Sequence, residues 1–211
     1  MLKDHATVPL ELGVQGDSRV RSSNGLDQFF AAIQGDSNLS ILDLGGASQA
    51  NISCITSLGH RLYSEDILYS LDDCFGRGSD ALRNQSDALR VRRFFEQSLD
   101  FPNAHFDGVL IWDTLQFMTP ALLDRTVTRL SGILRPSACL LAFFNADERA
   151  ASIPVHSYRI MDAKTLALVH RGERAPAQFF NNRSLEKIFQ NFSSVKFFLT
   201  RDHLREVIVK R

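Results

Sequence analysis

The run Ile41-Leu42-Asp43-Leu44-Gly45-Gly46-Ala47 constrains this chain more than any other stretch. It reads as an apolar strand entering a glycine turn, with a helix starting at Ser48. Glycine lacks Cβ, so a turn of this kind lets main chain come close to a bound group. Arg61-Leu62-Tyr63-Ser64-Glu65-Asp66 then reads as a second strand ending in two carboxylates. In doubly wound sheets an acid at that place accepts ribose hydroxyls. This strand–turn–helix is therefore a candidate nucleotide site.

A chain of 211 residues, 44% apolar and 23% charged, has the material for one well-cored domain. Twenty-four basic and twenty-four acidic side chains cancel, which argues against a broad nucleic-acid surface. The local group Arg90, Arg92 and Arg93 is read as a solvated face. No apolar stretch approaches the roughly 20 residues a membrane-spanning helix needs. The polar start at Lys3-Asp4-His5 lacks the apolar core of a secretion signal. Cys54, Cys74 and Cys139 are odd in number and widely spaced, so reduced cysteines are expected rather than a disulfide framework or a zinc site. The expected setting is cytoplasmic. No metal is expected.

Residues 1–21 carry Pro9, Gly13 and Gly16 without a persistent period and are read as an N-terminal arm; residues 22–211 are read as one domain. Ser22 or Ser23 caps a first helix to about Gln34, and Leu39–Leu44 is strand one. A helix over 49–58 and the strand at 61–66 follow. Residues 67–98 are ambiguous: a helix over Asp80–Arg90 is expected, and Val91–Ser98 either extends it or forms strand three. Phe106–Trp112 is a buried strand, Pro120–Ser131 a helix, and Cys139–Phe144 a strand after a turn at Gly132 and Pro136. Within 146–181, His156–Met161 and Thr165–His170 form an inserted hairpin on the substrate side. A helix over Asn182–Phe192 and an antiparallel pair, Val195–Thr200 with Leu204–Val209, close the chain. The expected fold is an α/β, Rossmann-like three-layer sandwich. Its mostly parallel sheet has seven strands, with a C-terminal antiparallel hairpin and the small inserted one.

Four stretches, in order, carry a resemblance. They are Asp43-Leu44-Gly45-Gly46, Glu65-Asp66, Phe101-Pro102 with Phe106-Asp107, and Trp112-Asp113-Thr114-Leu115. Together they resemble the class I S-adenosylmethionine-dependent methyltransferases, in particular the broad small-molecule group. That family has an acid–x–Gly–x–Gly–x–Gly turn; here Ala47 and Gln49 stand where its later glycines are expected. Its Asp-x-Leu-Glu-His pattern is met at Asp113 and Leu115, with Gln116 and Phe117 substituted. Leu134-Arg135-Pro136 resembles the family's turn before strand five, with Ser137 and Ala138 in place of glycines.

The resemblance implies S-adenosylmethionine as cofactor and S-adenosylhomocysteine as product. Main chain at Gly45, Gly46 and Ala47 would meet the methionine part, with Asp43 orienting the turn or facing the ammonium. Asp66 or Glu65 would hold the ribose, Ser98, Leu99 or Asp100 the adenine, and Asp113, with Trp112 and Gln116 shaping it, the methyl-transfer pocket. His156 and Tyr158, in the inserted hairpin, are candidates to orient an acceptor or act as base; Arg159, His170 and Arg171 could bind an anionic acceptor group. The implied function is methyl transfer to a small-molecule acceptor. The rival is an inactive scaffold of the same fold that binds a protein partner, because Ala47 and Gln49 add side chains where the cofactor approaches. A nicotinamide enzyme is disfavoured, since Gly45–Ala50 does not supply Gly-x-Gly-x-x-Gly. Phe179-Phe180 and Phe197-Phe198 could reach a homo-oligomer interface or pack in the core.

Overall fold

Strand-forming runs and helix caps alternate along the computed structural model, which describes residues 18–200 and 202–211. Residues 1–17, most of the expected arm, lie outside the described residues. Ser18–Ser22 forms β1, so the last part of that arm is strand. Ser23 then caps α1 (Asn24–Ile33), its hydroxyl accepting from the Leu26 amide. Leu26, Phe29, Phe30 and Ile33 recur at helical spacing and are the buried face of α1.

The main sheet has six strands in the order β3-β2-β4-β5-β9-β8. Its first four are β3 (Arg61–Ser64), β2 (Ser40–Asp43), β4 (Phe106–Trp112) and β5 (Leu134–Asn145), all mutually parallel. The closing pair is β8 (Ser194–Leu199) and β9 (Leu204–Lys210), with β9 antiparallel to both neighbours. The expected seventh strand is absent from the described residues. Residues 67–98 instead form α3 (Ile67–Phe75), α4 (Ala81–Asn84) and α5 (Ala88–Ser98). Asp87 accepts from the Leu89 and Arg90 amides and starts α5, which decides the ambiguous stretch Val91–Ser98 as helix. Its buried positions Val91, Phe94 and Ser98 follow helical spacing, and Arg92 and Arg93 pair outward with Glu96 and Asp73.

Side chains of the central strands alternate between two apolar layers. One layer joins Val109, Ile111, Leu140, Ala142 and Phe144 to α3, α5, α6 (Pro120–Ile133) and α7 (Asn182–Ile188). The other joins Leu110, Trp112, Leu141 and Phe143 to α1, α2 (Gln49–Ser57) and a second sheet. That second sheet is antiparallel, in the order β1-β7-β6, with β6 spanning Ile153–Asp162 and β7 Thr165–Arg174. The inserted hairpin is thus longer than expected and gains β1 as a third strand. Tyr158, Ile160, Leu166 and Leu168 put its inner face on the core. Phe180 is buried with its ring 4.9 Å from that of Phe144, so core packing accounts for it.

Candidate functional site

The carboxyl ends of β2, β3 and β4 bring together most of the expected site. Asp43 ends β2 with no exposed surface. Its carboxylate accepts three hydrogen bonds, from Trp112 Nε1 at 2.6 Å, Asn51 Nδ2 at 2.6 Å and the Gly45 amide at 2.9 Å. Burial raises its pKa, with these three donors opposing the shift.

Trp112 is the residue that shapes this end of the sheet. It stands at φ +56, a left-handed conformation uncommon for a bulky side chain, beside a register shift in the β4–β5 pairing. This turns its indole back beneath the glycine turn. A Cβ added at Gly45 would fall 2.5 Å from Trp112 Cδ1, so the indole fills the close approach that glycine provides. The ring stacks on Tyr158, with centroids 4.9 Å apart and planes 1° from parallel.

Tyr158 is buried and donates its hydroxyl to Asp113 Oδ2 at 3.0 Å. Asp113 is 4% exposed, and burial pushes its carboxyl up to about 6, against the lowering effect of the Tyr158 bond and of Arg171. The pair can therefore hold or release a proton near neutral pH. His156 is half-buried, its ring 6.0 Å from those of Tyr158 and His170; burial first and His170 second lower its pKa.

The two carboxylates after β3 have separate employments. Asp66 caps α3, accepting from the Tyr69 amide at 2.9 Å, and its second oxygen meets Arg171 at 3.2 Å. Gly46, at φ +87, faces that carboxylate, and Gly45 forms an isolated β-bridge with Asp66. Glu65 sits one residue earlier, and partial burial raises its pKa. Its main chain joins the turn to the sheet, its amide donating to Asp43 O and its carbonyl accepting from the Gly46 amide.

Ser98 and Leu99, expected near the adenine, are not gathered with the other site residues. They precede β4, and the loop they start is tied to the opposite end of the sheet. Leu99 O accepts from Arg129, and the Ala104 and His105 amides donate to Gly132 and Ile133, just before β5 begins. Both residues are buried, and the Ser98 hydroxyl donates to Phe94 O. The segment that approaches the carboxyl end of β4 is instead the connection between α4 and α5, where Gln85 donates to Phe117 O and accepts from the Thr119 amide.

Asn51 is the site residue that the sequence reading missed. It is 1% exposed, donates to Asp43 and to Tyr158 O (3.0 Å), and accepts from the Ile160 amide (2.7 Å). It thus satisfies the open edge of β6 while bracing Asp43. The available signal was its spacing: Asn51 and Ile55, four apart, are the buried residues of α2.

The similarity to known proteins can now be placed on this geometry. No protein-family model matches the chain, and no curated protein matches it. Solved structures do. An S-adenosylmethionine-dependent methyltransferase from Archaeoglobus fulgidus superposes with TM-score 0.52 at 11% identity, over 88% of this chain and 91% of that one. The fold is that of the class I S-adenosylmethionine-dependent methyltransferases. A 1,6-didemethyltoxoflavin-N1-methyltransferase from Burkholderia thailandensis is also similar, at TM-score 0.47 and 13% identity over 88% of this chain and 75% of that one. A methyltransferase from Methanosarcina mazei gives TM-score 0.46 and 17% identity over 83% and 93%.

A shared fold does not carry a shared activity, so the cofactor has to be tested on the residues themselves. In the methyltransferase fold it would need the open face of the glycine turn, an acid for the ribose and a pocket for the adenine. Here the Trp112 indole lies against Gly45, Asp66 is engaged by Arg171 and its own helix, and Ser98 and Leu99 start a loop tied to the other sheet end, while residues 45–50 still border an open cleft and the Glu65 side chain is in neither contact. The turn is therefore engaged at Asp43, Gly45 and Asp66, and it borders an open cleft along residues 45–50. Among the described residues no cluster of three or more His, Cys, Asp or Glu could hold a metal ion. No described helix is long and apolar enough to cross a membrane.

Proposed function

We propose that this chain uses the methyltransferase fold as a binding scaffold and does not carry S-adenosylmethionine in the groove the fold offers. One observation carries the reading: the Trp112 indole donates to Asp43 and lies against Gly45, the two places that the cofactor's methionine end would use. The resemblance expects Asp43 to orient the turn or face a cofactor ammonium; in this chain an internal N–H is already there. Calorimetric titration of the full chain with S-adenosylmethionine and S-adenosylhomocysteine tests it. No saturable heat up to about 1 mM ligand is expected, which would put any affinity weaker than about −4 kcal/mol. Micromolar binding would overturn the reading.

A second reading, methyl transfer to a small-molecule acceptor, is supported by two features. Glu65 remains at the carboxyl end of β3 as a ribose acid, and Asp113 with Tyr158 forms a proton-holding pair beside the turn. This reading requires the indole to leave Gly45. It predicts micromolar cofactor binding that is lost in Glu65→Gln and kept in Asp66→Asn, together with methylation of an acceptor by the wild-type chain.

A further inference from the structure

A cleft of about 620 Å³ opens between the glycine turn at residues 45–50 and the outer face of the three-stranded sheet. It lies on the α2 side and borders the contacts that join Asp43, Trp112 and Asp113, through Gly45 and Tyr158 in its lining. Its wall is the outward row of alternating positions on β1, β6 and β7, including Val20, Met161, Ala167 and Val169. An outward sheet face ordinarily carries polar side chains, because strands alternate core-facing and solvent-facing positions. Here that row is short and apolar, with Val20 57% and Met161 58% exposed.

The cleft also has one charge. Arg159 is half-buried in its wall, and no carboxylate is among the described residues that line it. The other cations of this sheet are spoken for. Arg19 and Arg21 pair with Asp202, Lys164 with Asp27, Arg171 with Asp66 and Arg174 with Asp72; Arg159 is in none of these pairs among the described residues. The hydroxyls of Ser157 and Ser48 are close by, and Ser48 makes no capping bond to α2. An apolar wall with a lone guanidinium selects for a ligand with a flat apolar body and one anionic group, since the charge-assisted bond fixes orientation while the wall supplies contact area.

We propose that this cleft is a binding site for a small apolar acid, a carboxylate or sulfonate on an aromatic or aliphatic body, with Arg159 as the anion contact. The cleft shares residues 45–47 with the turn expected to meet the cofactor's methionine part, so the proposal rests on the reading that S-adenosylmethionine does not occupy that turn.

The test uses two fluorescent probes on the full chain: 8-anilinonaphthalene-1-sulfonate and the uncharged N-phenyl-1-naphthylamine. Saturable binding of both at one site per chain is expected. Arg159→Gln should weaken the sulfonate about tenfold, the size of one charge-assisted contact, and leave the uncharged probe within about twofold. Ala167→Trp should remove both by filling the cleft. Val20→Glu, at an exposed edge position that leaves the core untouched, should weaken the sulfonate selectively by adding a like charge. Absence of saturable sulfonate binding, or binding that none of these substitutions alters, would overturn the proposal. Titrating S-adenosylmethionine into the same samples separates the two readings: displacement of the sulfonate by the cofactor would overturn both, whereas a chain that fails the probe test and still ignores the cofactor loses the cleft and keeps the scaffold reading.

Discussion

The Trp112 indole donates to Asp43 Oδ1 at 2.6 Å, and the Gly45 amide donates to the same oxygen at 2.9 Å. This one carboxylate oxygen therefore holds the end of β4 to the turn after β2. Trp112→Phe keeps the stack on Tyr158 and removes one donor from a buried carboxylate, which should cost about 1–3 kcal/mol. Trp112→Ala also leaves a cavity and should cost about 3–5 kcal/mol. Urea unfolding of both variants checks the order.

Gly45→Ala places its new Cβ 2.5 Å from Trp112 Cδ1 and should destabilise by about 1–3 kcal/mol through overpacking. In a Trp112→Ala background the obstruction is gone and the same substitution should cost little. A double-mutant cycle that shows simple additivity would contradict the indole's position.

Asn51→Ala removes one of three donors to Asp43 and leaves the Tyr158 carbonyl and the Ile160 amide without their Asn51 partner. A loss of about 2–6 kcal/mol is expected, at roughly 1–3 for each of the two groups left unpaired. Amide hydrogen exchange should report it locally, with Ile160 exchanging faster in proportion to its lost protection.

The Asp113 carboxyl is held up at about 6 in the fold, mainly by burial, against an ordinary value of 3.8. Between those values the folded chain binds more protons than the unfolded chain, so this group's contribution to stability falls as pH rises from about 4 to 6. Above pH 6 it stays flat. The span is on the order of 2–3 kcal/mol. Asp43 and Glu206 are shifted in the same direction, so the comparison that isolates Asp113 is wild type against Asp113→Asn. The variant should lose less stability over that window.

Glu206, in β9, has no exposed surface and accepts from Arg21 Nη2 at 2.6 Å, Ser23 Oγ at 3.0 Å and the Gly25 amide at 2.6 Å. It joins β1, the cap of α1 and the last strand. Arg21→Met leaves that carboxylate uncompensated and should cost about 3–5 kcal/mol, while Arg21→Met with Glu206→Met should recover much of the loss. Thermal unfolding of the single and double variants decides it.

Much of this architecture is legible locally. Ser23 before an apolar i, i+3, i+4 row, Phe106–Trp112 as a continuous apolar run and the Asp162-Ala163-Lys164 turn each mark an element by their own residues, because caps, periodicity and turn chemistry act over a few positions. The helix at 67–75 was harder to see. Its cap, Asp66, stands where the family resemblance expects a ribose acid, and one aspartate can serve either role.

The amino-acid sequence by itself determined most strands and helices outside β1 and residues 67–98, and placed Asp43, Gly45, Glu65, Asp66, Trp112 and Asp113 at one edge of a parallel sheet, since residues that end parallel strands must gather there. Tertiary structure alone decided what occupies that edge. The positive φ of Trp112 sets whether its ring points out or under the turn, and only the packed Tyr158 and the Asp43 acceptor hold it under. Likewise Arg171, 105 positions from Asp66, reaches it only because β7 folds back over the site. Contacts between residues so far apart in the chain depend on how the second sheet docks, and no local pattern encodes that.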